Sequence, residues 1–358
     1  MKNRKSICSL LALLFVGFAL PCSAFIPTDG TFYGLFYQTN TYWQNSSGTI
    51  RITTRRTGSY SVSLRIGPRS YSYSGTLAGD GSAVRQILRS YDYPVWVYFQ
   101  VSPLDPDLIT GTVSDGYWDA RLDAQRAVFN SSTNPCPYQG TYTMVQHGDF
   151  SSTQVPGGGS GSTIRINSAG SISSSFYLAD GSRFSQSTTL TKGGFWPLFS
   201  ALYSGYGTYY GWVSFDLTTN TIISGDVNWV KPGGYTPYYY PYGFDVTYPV
   251  YGSRYVQPPK GTPVLNFSNG MVEFNGQNLY QGITNLVTMD TNSKVQNLSA
   301  NGLSLVFTLA SGYFSGRVMD PITFAWYPFK GVVVQNANIA TGYYTGGYLS
   351  GEVWMEAR

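Results

Sequence analysis

SVSLRI, residues 61–66, puts Val62, Leu64 and Ile66 on every second position, with Ser61, Ser63 and Arg65 between them. A period of two marks a strand with one face buried and one face in water. Val95, Val97, Phe99 and Val101 follow the same rule, with Trp96, Tyr98 and Gln100 between them. The pairs Asp80-Gly81, Asp115-Gly116, Asp180-Gly181, Asn269-Gly270, Asn275-Gly276 and Asn301-Gly302 separate such runs. These pairs supply the positive φ angles that tight hairpin turns require. No amphipathic helix of ten or more residues emerges. The chain is therefore expected to be all-β, an antiparallel meander closed as barrels or stacked as sandwiches.

The pattern recurs. Thr49-Ile50-Arg51-Ile52 returns as Thr163-Ile164-Arg165-Ile166, and Ile109-Thr110-Gly111-Thr112-Val113 returns as Ile223-Ser224-Gly225-Asp226-Val227. Gly30-Thr31-Phe32-Tyr33 matches Gly140-Thr141-Tyr142-Thr143. A fainter third copy places Gly312 to Val318 and Phe329-Lys330-Gly331 against Gly58 to Leu64 and Tyr73-Ser74-Gly75. A unit of this length is much longer than a solenoid repeat and suits a complete barrel or sandwich with its own core. The expected organisation is a leader over 1–24, a first unit over 25–134, a second over 135–232 and a third over 262–358. Between the last two, residues 233–261 form a Tyr/Pro-rich loop or linker that includes Tyr235, Tyr238, Tyr239, Tyr240, Tyr242, Tyr248, Tyr251 and Tyr255.

The leader is read from Lys2, Arg4 and Lys5, the apolar run Leu10 to Leu20, and the small residues before a cut after Ala24. This is the layout of a secretory signal peptide, so the mature chain is expected to be secreted or displayed at the cell surface. No long apolar run follows, so no transmembrane helix is expected. Cleavage would turn a net charge of +4 into near-neutrality, and it would leave Cys136 as the single cysteine of the 3. Near-neutrality argues against nucleic acid, whose binding is dominated by phosphate charge. One His and one remaining Cys exclude an ordinary zinc site, and no cofactor is implied.

The stretches GTFYGLFY, GTVSDGYWDA, RAVFN, NPCPYQGTYT, FWPLF, YYGWVSF, ISGDVNW, PFKGVVVQ and GYYTG resemble, in order, a group of uncharacterised secreted bacterial β-repeat proteins with modules of about 110 residues. The resemblance spans roughly residue 30 to 356. It implies a secreted β-module and no particular chemistry. The Tyr-rich stretch over 235–255 departs from that group, as does the expected lack of upstream domains.

Candidate chemistry is sparse. His147-Gly148-Asp149 carries the single histidine, and a solvated turn is the plainer reading than a nucleophilic triad. Asp115, Asp119 and Asp123 share one strand face with Arg121, as an outer surface would, whereas a glycosidase needs two acids flanking a sugar. Asp105-Pro106-Asp107 reads as a turn in preference to a Ca²⁺ loop. Seven arginines between Arg51 and Arg89 precede six aspartates between Asp92 and Asp123. Ion pairing between the two blocks is preferred over an anion or polysaccharide surface. Trp96, Tyr98, Tyr210, Trp212, Tyr238, Tyr239, Tyr240 and Tyr242 are the ligand-binding candidates, because flat amphipathic rings on exposed strands or loops stack on sugars and make rigid contacts.

The leading expectation is thus a secreted, non-enzymatic β-repeat protein for surface interaction or adhesion, with polysaccharide or a surface protein as partner. A carbohydrate-binding module is the second reading, and an outer-membrane β-barrel is the third.

Overall fold

The structure, a computed structural model, describes residues 25–39, 44–90, 92–219 and 222–358. The signal-peptide reading of 1–24 lies outside these residues. Within them the chain folds as three antiparallel sheets of eight strands each.

The first sheet holds β1 (Gly30–Tyr37), β2 (Gly48–Thr54), β3 (Ser59–Ile66), β4 (Arg69–Thr76), β5 (Ser82–Arg89), β6 (Asp92–Val101), β7 (Leu108–Ser114) and β8 (Asp119–Ala127). Its order is β4-β3-β2-β1-β8-β7-β6-β5. First and last strands pair, Leu35 opposite Asp123, so the meander curls into a barrel with one seam, between β4 and β5. The second sheet holds β9 (Gly140–Gln146), β10 (Ser160–Ile166), β11 (Ser171–Tyr177), β12 (Arg183–Thr189), β13 (Phe195–Leu202), β14 (Gly207–Phe215), β15 (Ile223–Pro232) and β16 (Gly243–Tyr255). It closes identically, through β9 and β16, with its seam between β12 and β13. The third sheet holds β17 (Asn269–Asn275), β18 (Ile283–Met289), β19 (Val295–Asn297), β20 (Leu303–Thr308), β21 (Tyr313–Met319), β22 (Trp326–Val334), β23 (Ile339–Gly346) and β24 (Leu349–Ala357). Its seam falls one strand earlier, between β19 and β20.

Barrels, not sandwiches, satisfy the alternation. Val62, Leu64, Val95, Val97, Phe99 and Val101 are buried in the first core, while Ser61, Ser63, Trp96 and Tyr98 face outward. The other two barrels have separate cores, one built around Trp196, Tyr209 and Trp229 and one around Phe274, Phe314 and Tyr344. Apolar side chains fill the interiors and Ser, Thr and Arg cover the outer strands. This is the inverse of an outer-membrane barrel, whose lipid-facing side is apolar.

Both strong repeat matches fall on equivalent strands: β2 with β10, and β7 with β15. Two expectations need correction. The segment 233–261 is not a linker throughout, because its second half forms β16, the strand that closes the second barrel. Its Tyr and Pro content hid a strand whose partner β15 lies immediately before it. The third-copy echo also misaligns. It sets β21 and β22 against β3 and β4, which occupy different places around their barrels, because it matched a turn-and-alternation pattern common to any hairpin.

Adjacent barrels touch. Leu35, Phe199 and Tyr210 pack between the first two. Asp107 bridges them further, pairing with Arg126 of its own barrel and Lys192 of the next. Val145, Val332, Val334 and Ile339 join the second and third. There the backbone of Gly158 lies so close that a Cβ would sit 2.3 Å from Cβ of Tyr343 and 2.4 Å from the carbonyl oxygen of Gly351.

Candidate functional site

The turn after β15 starts from a buried charge. Lys231 and Asp180 are both fully enclosed, with Nζ 2.9 Å from Oδ2. An isolated ammonium at such a site would be strongly disfavoured. Here Nζ also donates to the carbonyl oxygens of Pro237 at 2.6 Å and Tyr239 at 2.7 Å, and it lies 5.1 Å from the Tyr203 ring centre. Burial pulls the Lys231 pKa down and the Asp180 charge partly offsets this. Asp180 is completed by the Tyr203 hydroxyl at 2.7 Å and by the backbone N–H of Ser182 at 2.9 Å. Tyr203 in turn accepts from Trp229 Nε1 at 2.9 Å. Three ammonium hydrogens thus meet three acceptors, two of them on the loop, so residues 237–239 are clamped to the barrel end.

The other end of the loop is fixed to the third barrel. The Tyr240 N–H donates to the Tyr348 carbonyl at 2.8 Å. Its hydroxyl accepts from the N–H groups of Gly157 at 3.0 Å and Ser350 at 2.9 Å. Burial raises the Tyr240 pKa, so the hydroxyl stays neutral at ordinary pH. Between these anchors an open cleft of about 870 Å³ forms, lined by Thr153, Gln154, Tyr240, Tyr242, Tyr348 and Leu349 among others. No ionisable acid or base lines it apart from tyrosine hydroxyls. Tyr242 is 96% exposed and Tyr348 is 68% exposed, and both rings are free to meet a ligand face. A cleft of this size, mostly apolar with a few hydroxyl and amide groups, suits a neutral ligand.

The eight aromatic candidates do not converge. Tyr238 and Tyr242 are exposed, Tyr239 is half-buried over the Asp180-Gly181 turn, and Tyr240 is buried as an anchor, not a contact. Tyr210 is also not exposed: at 4% it packs between the first two barrels, its ring 5.4 Å from that of Tyr37. Trp212 is half-buried beside it, edge-on to Phe195. Strand alternation placed Tyr210 and Trp212 outside their own barrel correctly, but could not show that a neighbouring barrel covers that face. Trp96 and Tyr98 stay exposed on the outside of β6, with Val84 of β5 opposite Tyr98. Tyr348 was missed. Its signal is the hairpin tip Gly346-Gly347-Tyr348, a glycine pair followed by an aromatic.

The catalytic candidates are dispersed. The Asp149 carboxylate is taken by the Ser151 backbone N–H at 3.1 Å and by the Ser151 hydroxyl, while the His147 ring lies 4.7 Å from that of Tyr251. Asp115 pairs with Arg89 at 3.0 Å and Asp123 with Arg121 at 2.7 Å. Asp107 serves the barrel junction. Cys136 is buried in the second core, which raises its thiol pKa. Among the described residues no group of three His, Cys, Asp or Glu is placed to hold a metal ion, and no helix is long and apolar enough to cross a membrane. The preferred pairing between arginine and aspartate blocks is realised at Arg89, with Asp92 and Asp115; Arg56 pairs instead with Asp29.

No protein-family model matches the chain, and no curated protein matches it. Among solved structures it is similar to intact Ap-TbpB with its N and C lobes, at 9% identity over 92% of this chain and 77% of that one, with a TM-score of 0.23. A mutant of the vaccine antigen transferrin binding protein B from Haemophilus parasuis Hp5 gives 9% identity, coverages of 92% and 75%, and a TM-score of 0.22. The fold assignment rests on the strand pairing itself.

Proposed function

We propose that this protein is an exported, non-catalytic recognition protein that acts at or beyond the cell surface, with the tyrosine cleft between its second and third barrels as the contact site. The observation that carries the reading is the pairing of two outward rings, Tyr242 and Tyr348, with a loop held by the enclosed Lys231–Asp180 pair. A fixed loop loses little conformational freedom on binding, so ring contacts convert more fully into affinity. The uncharged lining favours a neutral partner surface, and the ring face of a neutral sugar matches tyrosine in both shape and polarity. A glycan array spanning neutral and acidic chains tests this with residues 25–358 and with Tyr242→Ala/Tyr348→Ala. Signal on neutral chains that the double variant loses is expected. Absence of signal on every neutral chain overturns the sugar-binding form of the proposal.

A further inference from the structure

A second surface lies on the opposite chemistry. Arg51 on β2 and Arg165 on β10 occupy equivalent strands in the first two barrels and both point outward, since Ile50, Ile52, Ile164 and Ile166 are buried. In each barrel the arginine opens a cross-strand row of serines. Arg51 pairs in register with Ser63 and Ser63 with Ser72, while Arg165 pairs with Ser173 and Ser173 with Ser187. The barrels meet so that the two rows run into one groove. Its central section, about 620 Å³, is lined by Tyr33, both arginines, Asn167, Ser173 and Ser187 among others. A section of about 400 Å³ continues from Arg51 over Ser63 and Ser72, and another of about 360 Å³ continues from Arg165 to Ser311 at the third barrel.

The charge balance in the groove is one-sided. No Asp or Glu lines any of the three sections. Among the described residues neither Arg51 nor Arg165 has an ion-pair partner, although Arg56, Arg89, Arg121 and Arg126 all do. An unpaired guanidinium offers a planar fork matched to carboxylate or sulfate, and the serine rows add hydroxyls that both donate and accept. The groove is elongated and open, so the occupant it fits is a chain, not a compact anion. We infer that this groove binds an anionic polysaccharide, one bearing uronate or sulfate groups, with Arg51 and Arg165 each taking an acidic group and the serines meeting the sugar hydroxyls. This site is separate from the tyrosine cleft and does not depend on it. A nearly neutral protein can hold such a chain because the positive charge is local.

The experiment measures binding of residues 25–358 to heparin and to polygalacturonate, with dextran as the neutral counterpart, between 50 and 500 mM NaCl (on the order of the Debye screening range). Three variants accompany it: Arg51→Gln/Arg165→Gln, Arg51→Lys/Arg165→Lys, and the charge-matched control Lys260→Gln/Lys294→Gln, whose residues are exposed and outside the groove. Expected are binding to both acidic chains that weakens steeply with salt, a loss of roughly tenfold or more in the glutamine pair, a smaller loss in the lysine pair, and no change in the control. Thermal melting should be unchanged in all three, because neither arginine is engaged in the fold. Equal losses in the control and the glutamine pair, or equal retention of dextran, would overturn the site. So would an oligonucleotide that binds as tightly as heparin with the same arginine dependence. The Tyr242→Ala/Tyr348→Ala protein keeps its heparin binding if the two sites are distinct, so failure of one proposal leaves the other readable.

Discussion

Lys231 shows how one residue can decide a site. Its ammonium has no exposure and three acceptors, one of them a carboxylate. Replacing it by Met leaves Asp180 buried without its counter-charge, and removing one member of an enclosed pair costs about 3–5 kcal/mol. Chemical denaturation of Lys231→Met should show a loss of that order, with part recovered in Lys231→Met/Asp180→Leu. Binding at the cleft should weaken in both, because the carbonyls of Pro237 and Tyr239 lose their donor. Asp107 gives a prediction in pH. Burial alone would raise its carboxyl, but hydrogen bonds and charge from Lys192 and Arg126 outweigh this and hold it below the ordinary carboxylate value. A depressed acid contributes stability that is whole above its unfolded pKa of about 3.9 and is lost as pH falls through the folded value. The melting temperature of the wild type should therefore exceed that of Asp107→Asn at pH 7, and the gap should close as pH falls below about 4. None of these partnerships was legible in the sequence. Lys231 and Asp180 lie 51 positions apart, and nothing local to Asp105-Pro106-Asp107 announces a lysine 85 positions downstream.

At the level of strands and loops, period two and the Asp-Gly and Asn-Gly pairs were informative because each barrel interior is dry and each exterior wet. β3 follows the alternation residue by residue, and β6 does so from Pro94 onward. The alternation fails where both faces are covered. β23 is buried at every position, and its sequence, IATGYYTG, carries no period at all. β16 was obscured for another reason: Pro249 and a run of tyrosines look like a loop, yet Asp226 of β15 pairs in register with Pro249. The run Gly157-Gly158-Gly159 went unread in the sequence. It lets the second barrel press its backbone on the third, where the Gly159 N–H donates to the Gly342 carbonyl at 3.0 Å. Gly158→Val should force these barrels apart while leaving each sheet intact. Hydrogen exchange should then rise at the Gly159 amide, which loses its Gly342 acceptor, with protection inside the first barrel unchanged.

For the whole molecule, the excess of 31 tyrosines has two explanations. Many are structural. Tyr142, Tyr209, Tyr255, Tyr343 and Tyr344 are buried, and hydroxyls such as that of Tyr142, donating to the Tyr138 carbonyl at 2.7 Å, find partners at the barrel ends. This is what an amphipathic ring offers a small barrel: apolar area inside and a polar tip at the rim. The remainder are displayed, and only where barrels meet do they frame a cleft. The first two cores were foreseeable from the repeat, the third rested on a misaligned echo, and the junctions were not foreseeable, because no periodicity within one barrel encodes the face it turns to another. The recognition sites proposed here lie at those junctions. The most direct test is retention of residues 25–358 on insoluble neutral polysaccharide, compared with Tyr242→Ala/Tyr348→Ala at matched melting temperature. The account predicts retention that drops by roughly tenfold in the double variant, in line with about 1.4 kcal/mol per decade. Retention unchanged by loss of both rings would contradict it.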